Sequence, residues 1–184
     1  EDQAWPKRCG HMDGKQVISA EEHAQKIRAA VDARLDKETV IMSRTDSRAV
    51  YGIDDAIERS KRYADAGAEI CFADGIGSRE ELEKFARGME GSGAYIVANM
   101  IEGGKTPLIS AKELEEMGFS IVFWACSAVY TISKALYDLF TGLEKNGTTE
   151  ATADKMIEFG QFNHIIGLDT YKQLERKYQV DRDD

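Results

Sequence analysis

Apolar positions along this chain follow two alternating periods. Four short runs rich in consecutive β-branched, aromatic and small apolar residues, at 39–42, 69–72, 95–98 and 120–124, have the length and composition of buried strands in a parallel sheet. Between the runs, apolar residues recur at three- and four-residue spacing. Ala24, Ile27, Ala30 and Val31 mark a helix over 20–35, and Ala56, Ile57, Tyr63 and Ala64 mark a second over 54–66, closed by Gly67. A third runs from Ser78 to about Met89, and a short fourth from Ser110 to Gly118. Three of the four begin with Ser-x-x-Glu: Ser19 with Glu22, Ser78 with Glu81, and Ser110 with Glu113. Serine at the N-cap and glutamate three residues on can satisfy free amides reciprocally, which makes these capping boxes. A longer helix over 131–145 ends at Asn146-Gly147, and a final helical region covers 153–176.

The strand runs start at 39, 69, 95 and 120, a repeat of about 25–30 residues, which is one βα unit. Polar residues collect just after them: Arg44 and Asp46, Asp74, Asn99, and Ser127. A (β/α)8 barrel and an open α/β sheet both place their sites at such strand ends. No Gly-x-Gly-x-x-Gly or Walker loop is present, and Gly103-Gly104-Lys105 alone is too short to stand for one. A closed barrel needs eight strands, so four, with a further strand end implied at Glu1, read as the C-terminal half of a larger barrel.

The net charge of −9 argues against a nucleic-acid surface, because phosphate binding needs a basic face. A small anionic substrate stays compatible with it, since a local cationic pocket can oppose the global charge. No run approaches the roughly 20 apolar residues of a membrane span, and no secretory signal is visible, so neither membrane nor nucleic acid is an expected partner. Cys9, Cys71 and Cys126 are odd in number and far apart, as free thiols in a reducing cytoplasm would be. Cys71 and Cys126 read as small core residues, and Trp5 and Trp124 as packing residues.

The candidate chemistry begins at Pro6-Lys7-Arg8-Cys9-Gly10-His11. A thiol flanked by cations, with an imidazole two residues on, can form an acid/base loop, and Gly10 lets the backbone fold over a ligand. On composition alone, a surface loop that happens to carry cysteine is the competing reading. The string resembles the active-site loop of the isocitrate lyase and phosphoenolpyruvate mutase superfamily, lyase branch. Glu1-Asp2-Gln3, Ser43-Arg44-Thr45-Asp46, Ala98-Asn99-Met100 and Glu102-Gly103-Gly104-Lys105-Thr106-Pro107 extend the resemblance to about residue 149.

The resemblance implies a (β/α)8 barrel whose strands five to eight are those described above, with Glu1 at the end of strand four. Residues 1–149 would form the C-terminal barrel half, and 150–184 a helical tail exchanged between the subunits of a homotetramer. It implies a Mg²⁺-dependent (or Mn²⁺-dependent) lyase that cleaves the C2–C3 bond of a 2-hydroxy dicarboxylate resembling 2,3-dimethylmalate, or of 2-methylisocitrate. The products would be a 2-oxo acid such as pyruvate and a second carboxylic acid. By the same resemblance Cys9 would protonate the departing enolate, with Lys7 and His11 tuning it and gating the loop. Arg44 would pair with a substrate carboxylate, Gly10, Asp74, Asn99 and Ser127 would line the substrate, and Glu1 would hold the metal through water. Plainer roles stand beside these: Arg44 as an ion-pair partner of Asp46, Asn99 as a strand-end turn residue, and His11 as a loop-ordering residue.

Two positions depart from the family pattern. Asp74 stands where glutamate is usual, one methylene shorter. Tyr130 stands where methylisocitrate lyases carry arginine, which favours a dicarboxylate over a tricarboxylate. A phosphorylmutase or oxaloacetate hydrolase on the same fold, and a non-catalytic barrel fragment acting as an assembly module, are the alternatives.

Overall fold

The computed structural model describes residues 1–180. The last four positions of the expected tail, 181–184, lie outside the described residues. Four strands form one parallel sheet in sequential order: β1 (Met42–Thr45), β2 (Ile70–Ala73), β3 (Tyr95–Asn99) and β4 (Ile121–Phe123). Helices connect each strand to the next: α2 (Arg48–Tyr51) and α3 (Ile53–Asp65), then α4 (Arg79–Met89), then α5 (Ala111–Met117). α1 (Ala20–Ala33) precedes β1. Strand order never reverses, so the sheet has no switch point of the doubly wound kind; it is wound as a (β/α)8 barrel is.

The first strand departs from the pattern-based expectation. It occupies 42–45 instead of 39–42, and Val40 is exposed. Pairing of Met42 with Ile70 sets the register and carries the strand through Ser43-Arg44-Thr45. Those polar side chains are tolerated because each finds a partner: Ser43 Oγ lies 3.4 Å from the Ile70 carbonyl, and Thr45 Oγ1 donates to Asp2 at 2.7 Å.

Alternation along the strands separates two faces. Cys71, Ala73, Ile96 and Ala98 point to the helices and join a core with Ala24, Ile57, Tyr63, Leu82, Phe85 and Leu114. Phe72, Val97 and Phe123 point the other way, and the Phe72 and Phe123 rings meet edge to face at 5.6 Å. At the strand starts this second face bears Met42, Tyr95 and Ile121, which are 50%, 63% and 39% exposed. All three serine caps form, each hydroxyl accepting from the amide three residues on, and the glutamate of Ser110-x-x-Glu113 completes the reciprocal box.

The chain divides into two compact units, Glu1–Val129 and Tyr130–Asp184. The division falls inside α6 (Ser127–Asn146), so the tail drawn at residue 150 from sequence is the distal part of the second unit. The single helical region expected over 153–176 is three elements: a 3-10 helix (Glu150–Lys155), α7 (Phe159–Ile165) and α8 (Leu168–Tyr178). Gly167, at φ 76°, turns the chain between the last two. None of these tail helices buries a residue, and Tyr137, Phe140, Phe162, Ile165, Tyr171 and Tyr178 remain exposed.

Candidate active site

The polar residues after β1, β2 and β3 meet because the register brings them level. Pairing of Phe72 with Val97 places Asp74, two residues on, beside Asn99, whose Nδ2 lies 3.3 Å from Asp74 Oδ1. Pairing of Arg44 with Phe72 likewise sets Arg44 across from β2, with its guanidinium 5.6 Å from the Phe72 ring centre. Arg44 then holds carboxylates on two sides. Nε and Nη2 donate to Asp46 at 2.8 and 2.9 Å, and Nη2 lies 2.9 Å from Asp74 Oδ2. Arg44 Nε also lies 3.5 Å from Glu1 Oε2, and Lys7 Nζ lies 3.2 Å from Glu1 Oε1. Burial opposes ionisation of Glu1, but Lys7 and Arg44 outweigh it and hold the carboxyl below the usual carboxylate range.

The segment Glu1–Gln3 runs beside β1, with the Asp2 amide donating to the Arg44 carbonyl at 3.1 Å. Among the described residues this segment is not a strand of the four-stranded sheet; Gln3 forms an isolated antiparallel bridge with Val17. Asp2 fixes the segment there. Its fully buried carboxylate accepts from Thr45 Oγ1 at 2.7 Å, Asp46 N at 2.9 Å, Tyr63 OH at 2.9 Å and Arg59 Nη1 at 3.2 Å.

The Cys9 loop leaves this segment and returns to it. Ala4 N donates to the Gln16 carbonyl and Ile18 N to the Asp2 carbonyl, each at 2.8 Å, closing the base. The tip docks on the strand ends. His11 Nδ1 accepts from the Lys105 amide at 2.9 Å, which fixes the ring proton on Nε2, 3.4 Å from Asp74 Oδ1. Gly10 lies so close that a Cβ there would sit 1.8 Å from Asp74 Oδ2 and 3.0 Å from Arg44 Nη2. Gly75 completes the fit: its φ of 70° and its packing against the Gly10 carbonyl leave no room for a side chain. Glycine at these two positions is therefore a condition of loop docking.

Of the residues singled out from sequence, Glu1, Lys7, Gly10, His11, Arg44, Asp74 and Asn99 form one connected group, and Cys9 rides on its loop with an exposed thiol. Ser127 stands next to another partner, its hydroxyl donating to Glu102. The contacts of Lys7 and His11 go to Glu1 and to Asp74 and Lys105. Arg44 makes the ion pair with Asp46 that sequence left open, and the shortened acid Asp74 reaches the loop, Arg44 and Asn99 together. Trp5 is 85% exposed and does not pack as expected, because it lies in the loop before the docked tip. Cys71 is buried, whereas Cys126 is only half-buried. Sequence reasoning gave no role to Asp2, Gln3 or Lys15, all buried here. Asp2 and Gln3 stand in the Glu1-Asp2-Gln3 string that carries the resemblance, but without a role of their own, and Lys15 carries no such signal.

The model of the family described as phosphoenolpyruvate phosphomutase matches residues 1–143. The chain is 41% identical over 182 residues to 2,3-dimethylmalate lyase of Eubacterium barkeri, covering 99% of this chain and 62% of that protein. It is 45% identical over 181 residues to a chloroplastic carboxyvinyl-carboxyphosphonate phosphorylmutase of Arabidopsis thaliana, covering 97% and 52%. A crystal structure of 2,3-dimethylmalate lyase, described as a PEP mutase/isocitrate lyase superfamily member, superposes with a TM-score of 0.82 at 32% identity, covering 97% of this chain and 58% of that one. The chain thus spans roughly half to three-fifths of the length of the relatives it matches. With the parallel sheet, the docked Cys-Gly-His loop and the matched residues in agreement, this chain belongs to the phosphoenolpyruvate phosphomutase family, within the PEP mutase/isocitrate lyase superfamily.

Proposed function

We propose that the chain carries the proton-donating half of a carbon–carbon lyase acting on a 2-hydroxy dicarboxylate of the 2,3-dimethylmalate type. The observation that carries this is the docking of Gly10 and His11 onto Asp74 and Arg44, beside Asn99, which brings the loop that carries the exposed Cys9 to a charged cluster at the strand ends. In the reaction a general base takes the hydroxyl proton as C2 becomes a carbonyl, and the C2–C3 pair moves onto C3 as an enolate. Cys9 then gives its proton to C3. Arg44 opposes the negative charge that develops, within an arrangement already oriented by Asp46 and Asp74. His11, which accepts from the Lys105 amide and sets Nε2 3.4 Å from Asp74 Oδ1, holds the loop shut over the reacting atoms. Tyrosine at position 130 of the sequence, where methylisocitrate lyases carry arginine, supports a dicarboxylate in preference to a tricarboxylate.

The chain's own residues fit a divalent cation in an outer-sphere sense only. Glu1 presents an ionised carboxylate at the strand ends, able to accept from a metal-bound water. Among the described residues no group of three or more His, Cys, Asp or Glu side chains could ligate a metal directly. When bound, Mg²⁺ supplies Lewis-acid polarisation of hydroxyl and carboxylate oxygens. Inner ligands fall to an N-terminal barrel half, whose presence is supported by the exposed Met42, Tyr95 and Ile121 on the face that barrel interiors fill. The exposed apolar side chains of α6–α8 support a homo-oligomer, a tetramer, that covers them. No described helix is long and apolar enough to cross a membrane.

The 45% identity to a phosphorylmutase supports a second reading, phosphoryl rearrangement on the same pocket. One panel decides between them. The protein at its full natural length is incubated with Mg²⁺, and separately with EDTA, on 2,3-dimethylmalate, 2-methylisocitrate, oxaloacetate and a carboxyvinyl phosphonate. Mg²⁺-dependent pyruvate release, fastest with 2,3-dimethylmalate, is expected; turnover of the phosphonate alone would replace the lyase reading, and hydrolysis of oxaloacetate alone would do so too.

A further inference from the structure

We infer that Gln3 and Lys15 are positioning residues that hold the Cys9 thiol over the strand ends by gripping the loop backbone on either side of it. The inference rests on the lyase reading for its chemistry, but its structural content stands apart. On one side, the Gln3 carboxamide makes two bonds to a single residue. Its Nε2 donates to the Arg8 carbonyl at 2.7 Å, and its Oε1 accepts from the Arg8 amide at 2.8 Å. This pairing needs one donor and one acceptor on a flat group, which among side chains of this length is glutamine alone.

On the other side, Lys15 Nζ donates to the Gly10 carbonyl at 2.5 Å and to the Met12 carbonyl at 2.6 Å. A turn bond from Met12 N to the Cys9 carbonyl, at 2.9 Å, closes the segment between them. From Arg8 to Met12, every carbonyl but that of His11 is thereby engaged, while the Cys9 side chain stays exposed.

Both grips are anchored. Gln3 and Lys15 are 4% and 7% exposed. Gln3 sits in an antiparallel bridge with Val17, next to the Asp2 carboxylate and its four donors. A buried ammonium is costly, and this one goes to the backbone of the loop. Burial pushes the Lys15 ammonium down from its ordinary range, opposed by Asp46, Asp74 and Cys9, so the cation also lies within electrostatic reach of the thiol it positions. Cys9 is a mobile-looking residue by exposure and a fixed one by backbone contacts, which is what delivery of a proton to one carbon atom requires.

The test uses the protein at its full natural length, with Gln3→Glu and Lys15→Met. Gln3→Glu keeps the side-chain size but turns a second acceptor toward the Arg8 carbonyl. Lys15→Met keeps the buried stem and removes the donors. Three readouts are taken: tryptic cleavage after Arg8 by peptide mass, kcat and KM for the dicarboxylate substrate, and thermal melting. Cleavage after Arg8 is expected to rise roughly 10-fold with the sites outside residues 7–15 unchanged, because proteolysis follows the open population. The kcat is expected to fall roughly 10- to 100-fold with KM nearly constant, as for a misplaced catalytic group. Unchanged cleavage at Arg8 in a folded variant overturns the inference, and so does full kcat in a variant that opens there. If one variant does not fold, the other carries the test alone. Trypsin needs no substrate, so a wild type inactive on every candidate substrate, with variants that still open at Arg8, would sink the lyase reading and leave the two grips standing.

Discussion

Replacing Asp2 by alanine should destabilise the Glu1–Val129 unit more than any other single change at a polar residue of the strand ends. The carboxylate is fully buried and accepts four hydrogen bonds, from Thr45, Asp46, Tyr63 and Arg59. Two of the donors, the Thr45 and Tyr63 hydroxyls, can rotate toward other acceptors. The Asp46 amide cannot, and losing the acceptor of a buried donor costs about 1–3 kcal/mol. Arg59 is 7% exposed and keeps Asp55, at 2.6 Å, and the Ile18 carbonyl, at 2.8 Å. Its loss is therefore below the about 3–5 kcal/mol typical of breaking a buried pair outright. Taken together, a destabilisation of about 4 kcal/mol is expected, which for a chain of this size lowers Tm by roughly 8–16 °C. Asp2→Asn should lose less, since Oδ1 still accepts from Asp46. Adding Arg59→Met to Asp2→Asn should recover part of the loss, because the two side chains share one network. Urea and thermal unfolding followed by circular dichroism measure all three. A shift under about 1 kcal/mol for Asp2→Ala, in the range of an ordinary surface substitution, would show that the network is not what holds Glu1–Gln3 to β1.

Further outcomes follow from single contacts. Burial, reinforced by cationic neighbours that include Lys26 and Arg59, lowers the pKa of His23 to about 4, and neither ring nitrogen has a hydrogen-bond partner. The unfolded chain then takes up a proton that the folded one refuses, so stability is lost as pH falls from the ordinary histidine range toward the folded value, by about 3 kcal/mol in all. His23→Leu should remove roughly 2 kcal/mol of the difference in unfolding free energy between pH 7 and about pH 4.5, and an unchanged acid slope would refute the assignment. Gly10→Ala should cut kcat by roughly 100-fold with little change in Tm, since the new Cβ would sit 1.8 Å from Asp74 Oδ2 in a loop that contributes little core. Full turnover in that variant would mean that the docked loop is not the reacting form.

Much of this architecture could be read before any coordinates, because it rests on local signals. The Ser-x-x-Glu starts at Ser19, Ser78 and Ser110 all cap helices, and the run at 95–98 is a strand that extends by one residue to Asn99. The misplacement of β1 has a non-local cause. Thr39-Val40-Ile41 has the better strand propensity, but Glu69 holds the Ile41 amide at 2.8 Å and Arg34 at 3.0 Å, and pairing with β2 begins only at Met42. Four-residue α2 has too few turns to show a period. In the site, residues that act through their side-chain chemistry stood out: the thiol, the imidazole, the guanidinium. Those that act through the backbone of others, Gln3 and Lys15, carry no signature of their own, since their partners are carbonyls and amides that every residue has.

The assignment of Cys9 as the proton donor is open to one direct measurement. By microscopic reversibility, the group that protonates the departing enolate also removes a proton from the α-carbon of the product acid. The protein at its full natural length, with Mg²⁺ and pyruvate, is held with propanoate in D2O, and loss of the α-proton is followed by NMR. Exchange at C2 of propanoate is expected for the wild type, and for Cys9→Ala it should slow by roughly 100- to 10,000-fold, the usual contribution of a positioned acid or base. Wild-type exchange in a folded Cys9→Ala protein would contradict the account at its centre.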